Sequence, residues 1–186
     1  MKGGFQKHSL GFGLVLAMVA NLAFADVYVW DFPIDEAQVK NGPSPDGSTE
    51  SPGKGRGHLE FDTDSGEIVV KITFEGLVGE LSKLHVHGPS SPDRSTPRHV
   101  LELLGPPAVP ERLKATKGTF EARFELVALD QEDFPSLPPQ QIVEVLTAGR
   151  AYLNVHTTVF GMGEIRGNLG PPRKRDDTPQ RAAPKP

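Results

Sequence analysis

Two segments of the chain carry histidines at a spacing that suits metal coordination. His85 and His87 are separated by one valine within residues 84–89, and His156 lies in the alternating segment 152–157. Side chains two positions apart on a strand point to the same face, so the first two rings would lie about 6.6 Å apart along it. Neutral imidazole is a good ligand for copper and zinc. If the two strands are neighbours, the pattern predicts a copper or zinc site at these three histidines.

Three polar residues close to His156 in the sequence would support such a site. Glu164 is the leading candidate for an added ligand, because it lies on the strand expected to pair with that of His156. Asn154 would fix the tautomer of a neighbouring histidine by a hydrogen bond, which ligand sites usually require. Arg166 would belong to the same supporting layer. It shares a strand face with Glu164, so an ion pair between them is the default interpretation, contributing about 0–1 kcal/mol if exposed.

Other interpretations of these histidines stay open. On a solvated sheet face they would simply hydrogen-bond to loops, and His58 and His99 are isolated enough to be only secondary ligand candidates. The His-Val-His pair resembles the copper strand of copper/zinc superoxide dismutase, which makes a metalloenzyme with similar redox chemistry the alternative from another class. Three histidines are fewer than that motif uses, so a non-enzymatic protein is the preferred interpretation. There is no cysteine nucleophile, and no serine, histidine and acid have the order of a hydrolase.

The first 25 residues are typical of a secretory signal peptide. Two lysines and no acidic residue accompany an apolar run at residues 10–20, and an Ala-Phe-Ala site precedes Asp26. The apolar run is well below the ~20 residues that a membrane span needs. The sequence therefore predicts Sec-type export to the periplasm or the extracellular space, without a membrane span.

The exported part would be acidic and free of cysteine. Residues 26–170 contain 13 basic and 22 acidic residues, and the whole chain has no cysteine. Phosphate binding needs clustered lysine and arginine, so nucleic acid is an unsuitable partner. Without disulfides, a packed core must hold the domain together. The expected partner is a protein or a metal ion of unknown identity, and the oligomeric state is unknown. Residues 171–186 have almost nothing to bury, which predicts a disordered tail.

Short alternating segments predict an all-β fold. Residues 68–75 place apolar side chains on one face, and residues 57–62 and 119–127 alternate in the same way. Seven or eight such strands without alternating helices are typical of a single antiparallel sandwich or barrel. Residues 140–148 keep helical spacing with Gly149 as a cap, so one short helix is expected before a C-terminal hairpin.

The order of these segments resembles the CHRD domain, a module first described in chordin and also found in secreted bacterial proteins. The resemblance covers residues 38–169 and includes three motifs, Leu84-His85-Val86-His87-Gly88-Pro89, Ala151-Tyr152-Leu153-Asn154-Val155-His156-Thr157 and Gly163-Glu164-Ile165-Arg166-Gly167-Asn168-Leu169. It implies an extracytoplasmic β domain of immunoglobulin-like Greek-key character over residues 26–170. In chordin such modules belong to a protein that binds growth factors, whereas the bacterial members have no settled biochemical role, so a non-enzymatic CHRD-type binding module is an expectation without a named partner. The link at residues 106–117 is longer than usual for the family, so the resemblance does not imply that this loop recognises a partner.

Overall fold

The structure, a computed structural model, describes residues 26–105 and 109–175. Within them the chain forms short strands, one helix and one 3₁₀ turn at Glu111–Leu113. The helix α1 spans Pro139–Thr147. The strands are β1 (Val27–Asp35), β2 (Lys54–Asp62), β3 (Glu67–Glu75), β4 (Leu81–His87), β5 (His99–Leu104), β6 (Gly118–Glu125), β7 (Leu129–Gln131), β8 (Phe134–Leu137), β9 (Tyr152–Thr157), β10 (Ile165–Asn168) and β11 (Arg173–Arg175).

Nine of the described strands form one antiparallel sheet that closes into a nearly complete barrel. The strand order is β5-β4-β9-β10-β1-β2-β3-β6, and β11 also pairs with β1. Strands β7 and β8 form a separate two-stranded sheet. The prediction of an antiparallel sandwich or barrel with one short helix is therefore confirmed, and the barrel is the form that the chain adopts.

Alternation along the strands builds the core of the barrel. In β3, Ile68, Val70 and Ile72 are buried, whereas the residues between them are partly or fully exposed. In the pairing with β6, Ile72 lies opposite Phe120, whose side chain is also buried. Full burial of an apolar side chain of this size contributes about 1.5–3 kcal/mol. Packing of this kind supplies the stability that disulfides cannot supply in this chain.

The single helix packs one apolar stripe against the core. Ile142 and Leu146 are buried and one turn apart, as the sequence pattern predicts. The helix begins at Pro139, where the missing N–H of proline costs nothing. It ends before Gly149, which adopts a φ of 66° and donates its backbone N–H to the carbonyl of Leu146 at 3.0 Å. Glycine accepts this left-handed conformation readily, so it terminates the helix where the sequence predicts.

The C-terminal segment contains a strand that the sequence did not predict. Instead of disorder from residue 171 onward, Arg173–Arg175 pairs with the start of β1, with Arg175 opposite Val27. Each of its basic side chains forms an ion pair with an acidic residue in or beside β1 or β2. Arg173 pairs with Asp31 at 3.0 Å, Lys174 with Asp26 at 2.7 Å, and Arg175 with Glu60 at 2.8 Å. Backbone pairing with β1 and these ion pairs, rather than apolar burial, hold this strand in place.

The predicted signal peptide at residues 1–25 lies outside the described residues, as do residues 106–108 and 176–186. Export through that peptide therefore stays a prediction. Among the described residues, no helix is long and apolar enough to cross a bilayer.

Candidate metal centre

Strands β4 and β9 are antiparallel neighbours, and their pairing gathers the three predicted histidines. Lys83 lies opposite His156, and His85 lies opposite Asn154. The ring centroid of His85 lies 5.8 Å from that of His87 and 5.0 Å from that of His156. One nitrogen from each of these three rings lies within 4.8 Å of the other two. The side-by-side pairing of the two segments, on which the prediction depended, is therefore present.

The face that carries the histidines is covered rather than open to solvent. His85, His87 and His156 expose 6%, 5% and 6% of their surface, so the interpretation as outward side chains on a solvated sheet is wrong. The leucine and valine that alternate with them are also buried, so β4 is enclosed on both faces. On the histidine side, the rings contact His99 of β5 and the turn at residues 158–163. The site is thus an interior polar cluster.

Four nitrogens of this cluster are buried without a hydrogen-bond partner among the described residues: Nδ1 of His85, both nitrogens of His87 and Nε2 of His156. The remaining nitrogen of His156, Nδ1, is 2.9 Å from the carbonyl oxygen of Gly161. A carbonyl only accepts hydrogen bonds, so Nδ1 carries the proton and Nε2 keeps a lone pair. A buried polar atom without a partner costs about 1–3 kcal/mol. Four of them on adjacent rings are unusual in a protein interior, where such atoms generally have a partner, an ordered water or a bound ion.

Burial keeps the three imidazoles neutral. It lowers the pKa of His85 to about 2 and the pKa of His87 to about 3, and the neighbouring histidines add to both effects. Burial also lowers the pKa of His156. Metal ions bind the neutral form of imidazole. At neutral pH the cluster is therefore in the protonation state that coordination requires.

His87 is oriented by ring stacking. Its ring lies parallel to that of Tyr152, with centroids 5.1 Å apart and planes 10° apart. The Tyr152 hydroxyl donates to the carbonyl of Thr96 at 2.9 Å and accepts from the Thr96 N–H at 3.1 Å. The guanidinium carbon of Arg166 lies 3.6 Å from the centroid of the Tyr152 ring. The orientation of His87 is therefore fixed by packing on the ring of Tyr152. Tyr152 is itself held by the two hydrogen bonds to Thr96 and by the guanidinium of Arg166.

Arg166 is buried at 1% exposure and does not form the predicted ion pair with Glu164. Its guanidinium donates to the carbonyls of Arg94 at 2.7 Å and Ser91 at 3.3 Å, and to the side chain of Asn168 at 2.8 Å. Burial lowers its pKa. Arg166 thus fastens the loop between β4 and β5 to the barrel. It reaches the histidine cluster only through Tyr152.

Glu164 is fully buried but lies outside the histidine group. Its carboxylate accepts hydrogen bonds from the hydroxyls of Ser51 at 2.6 Å and Thr157 at 2.7 Å. It also accepts from the backbone N–H groups of Val78 at 2.5 Å and Gly79 at 3.2 Å. Four donors satisfy a carboxylate without a cation. In this structure the Glu164 carboxylate links three loops through these hydrogen bonds, and the bonds occupy both of its oxygens.

Asn154 supports the cluster through the turn at residues 158–163. Its side-chain amide donates to the carbonyl of Met162 at 3.0 Å. In the same turn, Gly163 has a φ of 115°, and a Cβ there would lie 2.0 Å from the Asn154 oxygen. The turn also supplies the Gly161 carbonyl that holds His156. The tautomer of His156 is therefore set by a backbone group, whereas Asn154 positions the segment that carries it.

Strand β5 contributes two residues that the sequence did not predict as part of one group. His99 lies opposite His87, and Glu102 lies opposite His85. One Glu102 oxygen accepts from Nδ1 of His99 at 2.6 Å, and the other lies 3.2 Å from Nε2 of His85. Irregularities in the pairing of β4 with β5, at Leu103 and Val100 of β5, bring these side chains to one face, and no sequence period reveals them. His58, the other secondary candidate, lies on β2 outside both histidine groups.

Comparison with known proteins gives one match. The family model described as the CHRD domain matches residues 33–169, which is most of the chain. No curated protein matches the sequence. No solved structure matches it either.

Proposed function

The chain belongs to the CHRD domain family, and we propose that it is an exported binding module whose buried histidine cluster holds one copper or zinc ion. CHRD domains are in general binding domains rather than enzymes, and they are typically extracellular. The ligands in this proposal are His85, His87 and His156. The observation that carries it is the set of four unpartnered, buried ring nitrogens on these three side chains.

The spacing of the cluster supports a bound ion. The three nitrogens lie within 4.8 Å of one another, so each lies at most about 2.8 Å from a point equidistant from all three in the widest symmetric arrangement. Imidazole ligands bind zinc or copper at about 2.0–2.1 Å, so in that arrangement each nitrogen would move inward by about 0.7 Å at most. Small changes in side-chain torsion achieve such a movement. The backbone pairing of β4 with β9 would stay as it is.

The chemistry of the donors favours particular metals. Three neutral imidazoles suit zinc and copper, whereas calcium and magnesium prefer oxygen ligands. The proton on Nδ1 of His156 is held by a backbone carbonyl, which leaves Nε2 as the donor atom. At His85 the nearby Glu102 carboxylate favours a proton on Nε2, which leaves Nδ1 as the donor atom. Ligand histidines are commonly oriented by a carboxylate or carbonyl in this way.

Protein recognition would use other surfaces of the same domain. CHRD is a protein-binding domain. The three imidazoles are buried, so a protein partner would contact the outside of the barrel rather than the rings themselves. Metal binding and partner binding would therefore be separable by substitution of the histidines.

Metal analysis tests the proposal directly. The mature protein is purified from the cell envelope or the medium, and its N-terminus and its copper and zinc contents are measured. We expect a first residue of Asp26 and at least one ion per chain, with one ion fewer in His156→Asn. His58→Asn is the matched control, because this histidine is partly exposed and lies on another strand.

Two results would count against this function. A metal-free protein that takes up neither ion at micromolar concentration would leave CHRD-type protein recognition alone. Loss of metal in His58→Asn to the same degree as in His156→Asn would place the ion elsewhere. A copper-loaded protein that dismutes superoxide would instead support the metalloenzyme alternative.

A further inference from the structure

We propose that the chain has a second cation site beside the first, formed by His85, His99 and Glu102. One ligand atom from each of these residues lies within 4.8 Å of the others. The inference rests on the proposed function, because His85 belongs to both groups. It would make the cluster a two-ion centre in which a single imidazole serves both ions.

The two nitrogens of His85 differ in their partners. Nδ1 is buried and has no partner among the described residues. Nε2 lies 3.2 Å from Glu102. The ring centroids of His85 and His99 are 4.0 Å apart, which is less than the 5.0 Å between His85 and His156. The ring of His85 therefore lies between two sets of potential ligands and offers one nitrogen to each.

The backbone at His99 is anchored by a residue from another sheet. The Gln131 side chain accepts a hydrogen bond from the His99 N–H and donates one to the His99 carbonyl, each at 2.9 Å. This double contact continues the edge of β5 in the way that a neighbouring strand would. Gln131 belongs to the short hairpin of β7 and β8. An edge strand is usually less constrained, so the anchor gives His99 a defined position.

The second group differs from the first in exposure and charge. The side chains of Glu102 and His99 are 47% and 22% exposed, whereas that of His85 is 8% exposed. The second site is therefore reachable from solvent, and water can complete its coordination. Two imidazoles and one carboxylate suit zinc or copper(II), and the carboxylate supplies a negative charge that the buried group lacks.

Occupation of the second site replaces protons by a metal ion. When the first ion is bound at Nδ1 of His85, the second ion takes the place of the hydrogen on Nε2, and that proton leaves to solvent. On His99 the hydrogen moves from Nδ1 to Nε2, so no net proton is lost there. The Glu102 carboxylate then contacts the ion instead of the two N–H groups.

Zinc stoichiometry in matched variants tests the second site. Metal-free protein is dialysed to equilibrium against micromolar zinc, and bound zinc per chain is measured. We expect two ions in the wild type and in the control His58→Asn. We expect one ion in Glu102→Gln, which keeps the shape of the side chain but removes its charge, and one in His156→Asn. We expect none in His85→Asn, because both groups lose a ligand.

The outcomes separate this inference from the proposed function. One ion in the wild type, kept by Glu102→Gln and lost in His156→Asn, would overturn the second site and leave the first. No ion in the wild type would overturn both. Two ions in the wild type with one kept in His85→Asn would overturn the sharing of that ring. Thermal melting without metal establishes whether each variant folds. If His85→Asn does not fold, the zinc contents of Glu102→Gln and His156→Asn decide whether the second site exists.

Discussion

Nδ1 of His156 is hydrogen-bonded over 2.9 Å to the carbonyl oxygen of Gly161, five residues further along the chain. This contact sets the tautomer of a buried ring by means of a backbone group in the adjoining turn. It also leaves Nε2 of His156 without a partner among the described residues. The turn at residues 158–163 is therefore part of the candidate site, although it contributes no ligand.

Two glycines of this turn differ in the space available for a side chain. A Cβ would clash at Gly163 and fit at Gly161, so the two positions give a matched pair of substitutions. Gly163→Ala would place a methyl group 2.0 Å from the Asn154 oxygen at a φ of 115°, whereas a Cβ at Gly161 meets nothing within 4 Å. We expect Gly163→Ala to lower the free energy of unfolding by about 1–3 kcal/mol and to weaken zinc binding through His156. Gly161→Ala should leave both unchanged. Denaturant unfolding and zinc titration measure the two effects, and equal behaviour of the variants would contradict the argument.

The free energy of unfolding of the metal-free protein should decrease as the pH falls. Burial lowers the pKa of His85 to about 2 and of His87 to about 3, from the value of 6.5 expected in the unfolded chain. Below about pH 6.5 the unfolded chain binds more protons, so stability is lost as the pH falls from 6.5 toward 3. The expected slope is up to about 1.4 kcal/mol per pH unit for each histidine. Urea unfolding between pH 5 and pH 8 measures it.

One result of the urea unfolding experiment would contradict this pH dependence. A free energy of unfolding that stays constant from pH 7 to pH 5 would mean that the rings become exposed and protonated without loss of structure. His58→Asn serves as the control, because this residue is partly exposed and pairs with Asp31 at 2.7 Å. It should leave the slope in place.

Zinc should stabilise the wild-type protein more than the variant His156→Asn. A ligand that binds only the folded state at 100 times its dissociation constant adds about 2.7 kcal/mol to stability. We therefore expect zinc to raise the melting temperature of the wild type, and a chelator to reverse the rise. His156→Asn should show a smaller rise, because it removes the Nε2 donor of the first site and leaves the second site in place. A rise of equal size in this variant would exclude His156 as a ligand.

Glu164→Gln should destabilise the fold without changing the zinc content. The carboxylate accepts from Ser51, Thr157, Val78 and Gly79, so an amide group would direct its own N–H toward donors. The loss is about 1–3 kcal/mol for each bond that a buried group can no longer make. Thermal melting and metal analysis check the two parts of the prediction. Loss of bound zinc in a folded Glu164→Gln protein would return this residue to the ligand set.

The exposed Glu121 provides the comparison for that experiment. Its side chain is 61% exposed and pairs with Lys71 at 2.6 Å on the outer face. Surface pairs of this kind contribute about 0–1 kcal/mol. Glu121→Gln should therefore melt close to the wild type.

The sequence predicts the strands that carry an alternating pattern. Ile68, Val70 and Ile72 follow a period of two, and the structure buries all three. The pairing of the segments that contain His85 and His156 was also correctly inferred. These features depend on local periodicity and on the order of motifs, and both are visible in the chain itself.

The remaining features depend on contacts between distant residues. The sequence left open whether the histidines lie on a solvated face, and β5 and the turn at residues 158–163 cover them. The pairing of Glu102 with His85 follows from irregularities in β5, which shift the register without a sequence signal. The short strand Arg173–Arg175 lacks an apolar pattern, and its side chains form ion pairs with acidic residues that are distant in the sequence.

The position of β1 at the middle of the sheet has a consequence for the order of events during synthesis. On one side β1 pairs with β2, which follows it closely, but on the other it needs β10 and β11, the last strands of the domain. The continuous sheet needs β10, so an N-terminal fragment that lacks this strand leaves one edge of β1 unmatched. The histidine cluster likewise needs both β4 and β9. The proposed metal binding would thus begin only after synthesis has passed the turn at residues 158–163.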